Sequence, residues 1–227
     1  DYIATSLETD LAGSTSEEQL ETVVMKHLQN IIKEHRKIVF DGDNYSEEWH
    51  EEAERRGLPN LKTAADAFPA LVTENSLDLF SRYNVLSNTE LHAREKVLLD
   101  TYCTVVEIEA RTLLQMLSTQ VLPAALRYQG ELAEIVASSH AVSVDCSRTA
   151  GRLNDVAELA ELLQDSIDTI TATVSSEHSN VLDSANFTRD TILPSMSVAR
   201  VISDQLEEMI PDDIWPLPSY TEMLFVR

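Results

Sequence analysis

The chain has 227 residues and a formal net charge of −22, with 39 acidic side chains against 17 lysines and arginines. Because so acidic a surface cannot neutralise phosphates, we do not expect nucleic-acid binding, and the charge mainly favours solubility. No apolar run reaches the length of about 20 residues that crosses a bilayer. We therefore expect no membrane span, and the first residues do not suggest a secretory leader.

The composition also predicts the fold class and the compartment. With only 5 glycines, 7 prolines and no strand-like alternation, an all-α fold is expected. Cys103 and Cys146 lie far apart and form no CxxC pair. Two such cysteines are typical of a reducing cytoplasm, and we expect both to be buried small hydrophobic side chains.

The chain opens with two predicted helices. The first is the end of a helix that stops at Gly13, with Ile3, Leu7 and Leu11 on one face. Because it shows no N-terminal cap, we expect the sequence to start inside a longer protein. The second helix opens at the capping box Ser16-Glu-Glu-Gln19 and extends to about Ile38. Its apolar stripe consists of Leu20, Val23, Val24, Leu28 and Ile31.

A turn–helix block follows between Phe40 and Leu61. Asp41-Gly-Asp-Asn44 predicts a tight turn, because these residue types tolerate left-handed backbone. Ser46 is expected to cap a short helix that Gly57 and Pro59 end. Two more short helices are predicted at about 64–71 and 76–83.

Three long helices dominate the remainder, and they are expected to pack as an antiparallel bundle. A second capping box, Ser87-Asn-Thr-Glu90, precedes a helix that extends to about residue 141 and should kink at Pro123. Its apolar residues include Val97, Leu98, Val105, Ile108, Leu114, Met116 and Leu122.

The second long helix, at about 148–175, carries apolar residues spaced alternately three and four apart, which is a heptad seam. They are Leu153, Val156, Ala160, Leu163, Ile167, Ile170 and Val174. The third spans about 180–209 with a bend expected at Pro194. The tail from 210 to 225, which includes Trp215, is expected to fold back and dock.

Candidate sites are few, and none is complete. Glu47-x-x-His50 has the spacing of a di-iron ligand pair, but no second Glu-x-x-His pair exists. The run from Asp41 imitates a calcium loop, yet Ser46 stands where that loop requires glycine. No nucleophile or phosphate-loop motif is present. The residues therefore assign no catalytic, cofactor-binding or metal-binding position to this chain.

The block Asp41–Leu61 closely resembles a block near the C-terminal end of type III glutamine synthetases. Further pieces agree in the same order. They are Leu79-Phe80-x-x-Tyr83-x-Val85-Leu86, Glu90-Leu91-x-x-Arg94, Ile108-Glu109-Ala110, Pro123-Ala124 with Tyr128-Gln129, Trp215-Pro216-x-Pro218-x-Tyr220, and Leu224-Phe225. The resemblance spans essentially the whole chain and is weakest between about 140 and 200.

This resemblance implies a parent enzyme that joins ammonia to glutamate at the expense of ATP, with magnesium or manganese ions at its site. It implies other subunits as partners, in stacked rings of six, and a cytoplasmic location. The family's active-site residues lie upstream of this sequence, so none is transferred here. Residues 1–62 would be the end of the catalytic domain and a junction, and residues 63–227 a C-terminal helical domain.

Four residues are the candidates for holding that junction together, namely Tyr45, Trp49, Gly57 and Trp215. Their expected role is structural. The alternative interpretation is a free-standing helical interaction or signalling bundle, which the heptad seams also suit. Such a bundle has no need of the Trp49 block or the aromatic tail.

Overall fold

The computed structural model describes residues 2–12, 16–218 and 220–224, and the part of the chain that it describes contains helices and no strands. This confirms the predicted all-α class. The α-helices are α1 (Tyr2–Leu11), α2 (Glu17–His35), α3 (Glu47–Arg55), α4 (Ala64–Ala67), α5 (Glu74–Arg82), α6 (Asn88–Met116), α7 (Leu122–Ala141), α8 (Ser147–Val174), α9 (Val181–Phe187), α10 (Leu193–Glu207) and α11 (Tyr220–Leu224).

The chain divides into two compact units, an N-terminal unit of Asp1–Leu61 and a C-terminal unit of Lys62–Arg227. In the N-terminal unit, α1 and α2 form an antiparallel hairpin. Tyr2 Oη donates to Glu34 Oε2 at 3.3 Å, and His27 Nδ1 lies 3.1 Å from Asp10 Oδ2. The expected stop at Gly13 lies outside the described residues. A 3₁₀ turn at Arg36–Ile38 follows α2.

The apolar stripe predicted on α2 is only partly buried. Leu20 and Leu28 are exposed, whereas Val23, Val24 and Ile31 are half-buried. Among the described residues of this unit, only His27 and Ala53 are buried. The N-terminal unit therefore has hardly any core of its own.

The C-terminal unit holds the main core. The seam predicted on α8 is confirmed, since Val156, Ala160, Leu163, Ile167 and Ile170 are all buried. They pack against α7 on one side and α10 on the other. Near the start of α8, the Arg152 guanidinium donates to the carbonyl of Met209 just beyond α10, so α8 and α10 run antiparallel.

The buried face of α6 differs from the one that the apolar residues named in the sequence analysis suggest. Leu91, Leu99, Val106 and Ala110 are buried, and α6 continues this buried side into Leu117. The residues of the predicted stripe that lie on the outside are Val97, Leu98, Val105 and Ile108. Apolar residues occur on two sides of this helix, and the bundle covers one of them.

Both expected proline bends coincide with π-helical turns. Leu117–Val121 precedes Pro123, and Thr188–Ile192 precedes Pro194. Proline has no N–H for the carbonyl four residues earlier and its ring crowds that carbonyl. The wider π turn accommodates both effects without interrupting the helical path.

Within the described ranges, three α-helices end in the same Schellman geometry. At α3, Gly57 N–H donates to Glu54 O and Leu58 N–H to Ala53 O, both at 2.9 Å, and Gly57 has φ +70°. The predicted stop at Gly57 is confirmed. Asn84 after α5 and Ser143 after α7 repeat this pattern with φ of 52° and 59°.

One smaller expectation holds without its expected cause, and another was wrong. The block forms a tight turn at residues 43–46, where Ser46 N–H donates to Asp43 O at 3.1 Å. Gly42 does not have left-handed backbone; a Cβ there would lie 2.6 Å from the Phe40 ring, so a larger residue would require that ring to move. The cysteines are free but half-buried rather than buried. Cys103 lies on α6, and Cys146 is the residue just before α8.

Candidate functional site

The block that stands out in the sequence folds into a small cluster of aromatic and charged side chains in the N-terminal unit. Ser46 caps α3 by accepting the Trp49 N–H at 3.4 Å, as predicted. Helix α3 then places Trp49, Ala53 and Arg56 on one face. Trp49 stacks on Phe40, with ring centroids 4.7 Å apart.

Arg56 joins this cluster to the backbone that precedes it. Its guanidinium lies 5.7 Å from the Trp49 ring centroid, within cation–π range. Its Nη1 donates to the carbonyls of Lys37 and Val39 at 3.0 and 2.7 Å. Arginine, with its planar set of donors, is suited to hold a loop in this way.

Glu52 forms ion pairs with both arginines that follow it. Its carboxylate accepts from Arg55 Nε at 2.7 Å and also from Arg56 Nε. Hydrogen bonds from Arg55 and then Arg56 hold the pKa of Glu52 below its ordinary value of 4.5. The carboxylate therefore stays charged at neutral pH and keeps both arginines in place.

The metal-like spacing that the sequence analysis set aside, Glu47-x-x-His50, gives only a pair of side chains. His50 Nδ1 lies 3.5 Å from Glu47 Oε2, an isolated pair. Across the described ranges, no three His, Cys, Asp or Glu side chains are arranged to hold a metal ion. The residues present thus do not fit a magnesium or manganese site, and no step of metal chemistry is placed on them.

The four predicted junction residues have different environments. Trp49 is half-buried in the cluster, and Gly57 ends α3. Tyr45 is 93% exposed, so it contributes little packing within this chain. Trp215 belongs to the C-terminal unit, where it is buried in the main core, and its tail docks from Ile210 to Leu217 as expected. Their common role at a junction remains a prediction.

A charged network in the C-terminal unit was not anticipated. Arg189 forms ion pairs with Asp190, its neighbour, and with Asp66, which is 123 residues away. Their carboxylates, Asp190 first, raise the pKa of Arg189, so this guanidinium is always charged. The pair joins α4 to the π turn after α9. The separation in sequence explains why no local motif could reveal it.

Tyr102 lies close to this network. Its hydroxyl is buried without a hydrogen-bond partner among the described residues. Burial raises the pKa of Tyr102, so the phenol stays neutral. Beside it, Ala65, Leu99 and Ala185 form a small second core. Tyr102 and Cys103 both pack against this core, so the arrangement contributes buried packing between distant parts of the chain.

The C-terminal unit carries an apolar groove of about 610 Å³. Leu71, Phe80 and Leu86 line one part, and Leu91, Val97 and Leu98 line another, with Glu90 and Arg94 among them. Glu90 is already engaged, because its carboxylate completes the predicted capping box with Ser87. The groove thus presents apolar surface rather than reactive groups.

No helix in the described ranges has the length and apolar character needed to cross a membrane. The described structure therefore contains two candidate surfaces and no assembled catalytic centre. One is the aromatic and charged cluster of the N-terminal unit, and the other is the apolar groove.

Comparison with known proteins identifies the family. Residues 23–140 match the glutamine synthetase C-terminal domain family. The type-3 glutamine synthetase of Dictyostelium discoideum is 34% identical over 91% of this chain, and a glutamine synthetase of Butyrivibrio fibrisolvens is 31% identical over 92%. A glutamine synthetase of Bacteroides fragilis is 30% identical over 88%.

The chain spans 29%, 31% and 28% of the lengths of these three relatives. The match includes the Phe40–Trp49–Arg56 cluster and the apolar groove, because both lie between residues 23 and 140. The chain belongs to the glutamine synthetase C-terminal domain family.

Proposed function

We propose that this chain is the C-terminal helical part of a glutamine synthetase and that it serves assembly or regulation rather than catalysis. The observation that carries the proposal is the alignment over about nine tenths of this chain with less than a third of each relative. The role of the parent enzyme would be to join ammonia to glutamate with ATP.

The residues of this chain support different roles for it and for the rest of that enzyme. ATP and the divalent metal ions would be held by the part of the enzyme outside this chain. Here the side chains build helix seams, caps and ion pairs. Residues 1–62 would end the catalytic domain and form the junction, and residues 63–227 would form the helical domain. The division of the chain into two compact units, between Leu61 and Lys62, supports that boundary.

The partner surface is supported by exposed apolar residues. The described part of the N-terminal unit leaves Ile3, Met25, Ile32 and Ile38 exposed, although free domains of this size normally bury a core. We propose that other parts of the same enzyme, or other subunits of a cytoplasmic oligomer of stacked six-subunit rings, cover such surfaces. Tyr45 and Trp49 would then contribute to the junction.

The test compares the purified 227-residue chain with the product of the complete reading frame that encodes it. We expect no γ-glutamyl transfer from the chain alone, and synthetase activity from the complete product. A complete product lacking residues 63–227 should have a different number of subunits per assembly, which light scattering gives as the assembly mass divided by the mass of the shortened subunit. Measurable γ-glutamyl transfer by the isolated chain would contradict the proposal. An unchanged assembly after the deletion would rule out the assembly role and leave regulation.

A further inference from the structure

The N-terminal unit concentrates positive charge at one cavity in an otherwise acidic protein. It contains six lysines and arginines, and four of them line a cavity of about 390 Å³. The lining residues are Arg36, Lys37, Val39, Asp41, Glu52, Arg55 and Arg56. Four cations and two carboxylates leave a formal excess of positive charge there, although the whole chain carries −22.

Part of this cavity is held in place by the cluster described above. Arg56 is fixed between Glu52, the Trp49 ring and the carbonyls of Lys37 and Val39. The same contacts hold the backbone of the 3₁₀ turn against α3. The wall of the cavity is therefore built before any ligand enters, which reduces the entropy that binding costs.

The other three cations keep donors that no described residue uses. Arg36 and Lys37 form no ion pair or side-chain hydrogen bond with any described residue. Arg55 gives Nε and Nη2 to Glu52, which leaves its other terminal nitrogen available. Arg36, Lys37 and Arg55 thus surround the cavity with unused donors.

We propose that this cavity binds the phosphate group of a small phosphorylated molecule. Arginine and lysine form short, charge-assisted hydrogen bonds with phosphate oxygens, and a dianion balances the local excess of positive charge. A volume of about 390 Å³ lies within the range of small-molecule sites and exceeds that of a phosphate ion, so it leaves room for an organic body. The inference does not depend on the glutamine synthetase assignment.

The test uses the full 227-residue chain labelled with ¹⁵N. The two tryptophans give two indole N–H signals, which Trp49→Phe assigns. Titration with ribose 5-phosphate, a phosphomonoester, should shift the Trp49 signal, because its ring lies beneath Arg56, and leave the Trp215 signal in place. A second titration, with inorganic phosphate, shows whether the cavity prefers an organic phosphate or the free ion. Tighter binding of the ester assigns an organic phosphate, and equal binding assigns the free ion.

The variant Arg36→Gln with Lys37→Gln removes the two cations that have no partner. It should weaken phosphate binding at least about ten-fold while leaving the melting temperature unchanged. Lys26→Gln with Lys33→Gln is the matched control, because it removes the same charge from α2 outside the cavity lining. This control should keep most of the affinity.

Either of two results in these titrations would overturn the proposal, and so would a third result, with polyglutamate. One is the absence of a saturable Trp49 shift with either compound up to about 10 mM, far above the range of specific ligands. The other is equal weakening by both double variants, which would mean that net charge alone attracts the anion. Binding of polyglutamate but of neither phosphate compound would also refute it, because the cations would then serve an acidic protein surface.

Discussion

The N-terminal and C-terminal units are built from similar amphipathic helices, but they bury very different amounts of them. Helix α8 has five buried apolar residues along one seam, whereas α2 has a comparable apolar stripe and buries only His27. The difference lies in the surroundings. Helix α8 is covered by α7 and α10, whereas in its own unit α2 packs mainly against the short helix α1.

Polar contacts take the place of a core in the N-terminal unit. The α1–α2 hairpin is aligned by Tyr2 with Glu34 and by Asp10 with His27. The block around α3 depends on the stacked Phe40 and Trp49 rings and on Arg56. Stability should therefore respond to core truncation in the C-terminal unit and to loss of single polar or aromatic contacts in the N-terminal unit.

The largest effect is expected from core truncation. Leu163→Ala removes a fully buried side chain at the centre of the α8 seam and should lower the free energy of unfolding by about 3 kcal/mol. Leu28→Ala on the half-open stripe of α2 is the matched change, and it should cost about 0.5 kcal/mol or less. Urea denaturation followed by circular dichroism measures both. Equal costs would mean that another molecule covers α2 in solution.

Trp49→Ala tests the aromatic cluster of the N-terminal unit. Because the half-buried ring stacks on Phe40 and lies under Arg56, its loss should cost about 2 kcal/mol and lower the melting temperature of this unit. Tyr45→Ala is the control, since that ring is 93% exposed and should change little. An unchanged melt for Trp49→Ala would mean that the tryptophan is not structural.

The Schellman ends allow a comparison of the two units with one motif. Gly57→Ala places a side chain at φ +70° in open space, so only backbone strain acts, and it should cost about 1 kcal/mol. Ser143→Gly relieves the same strain after α7 and should gain about as much. The melting temperatures of both variants, measured by thermal unfolding, test these two expectations. Effects of the same sign would exclude backbone strain as the cause.

The smallest expected effect is a dependence of the stability of the N-terminal unit on pH. The pKa of Glu52 is below 4.5 in the folded chain, so the unfolded chain binds more protons as the pH falls. The stabilisation that the Glu52 carboxylate gives is fully present above the pKa that this group has in the unfolded chain. It is lost as the pH falls through the lower pKa that the group has in the folded chain. The acid transition monitored at the Trp49 indole should become shallower in Glu52→Gln. If the acid transitions of the unchanged chain and of Glu52→Gln are identical, other carboxyl groups cause the pH dependence of stability.

Local signals in the sequence were sufficient for much of the secondary structure. Caps such as Ser46 and Ser87 mark helix starts through contacts made within four residues, and Gly57 marks an end in the same way. The α8 seam was equally clear because a regular spacing of three and four places all its members on one side. These features depend on neighbours in the chain.

Features that depend on distant residues could not be obtained in this way. The inner face of α6 is ambiguous because apolar residues occupy two sides, and only the bundle decides that Leu99 is buried while Val97 is exposed. The pairing of Asp66 with Arg189 has no local signal. In the candidate site, Trp49 was recognised by its motif, but the fixing of Arg56 by backbone carbonyls required the three-dimensional structure.

The small second core has a consequence for the order in which the protein acquires its structure. Ala65, Leu99 and Ala185 come from three distant parts of the chain, and the Asp66–Arg189 pair joins two of those parts again. During synthesis, α4 emerges more than a hundred residues before its partner in α9. Contacts of such long sequence separation close late because the loop entropy must be overcome first. The first helix of the C-terminal unit is therefore expected to complete its packing among the last.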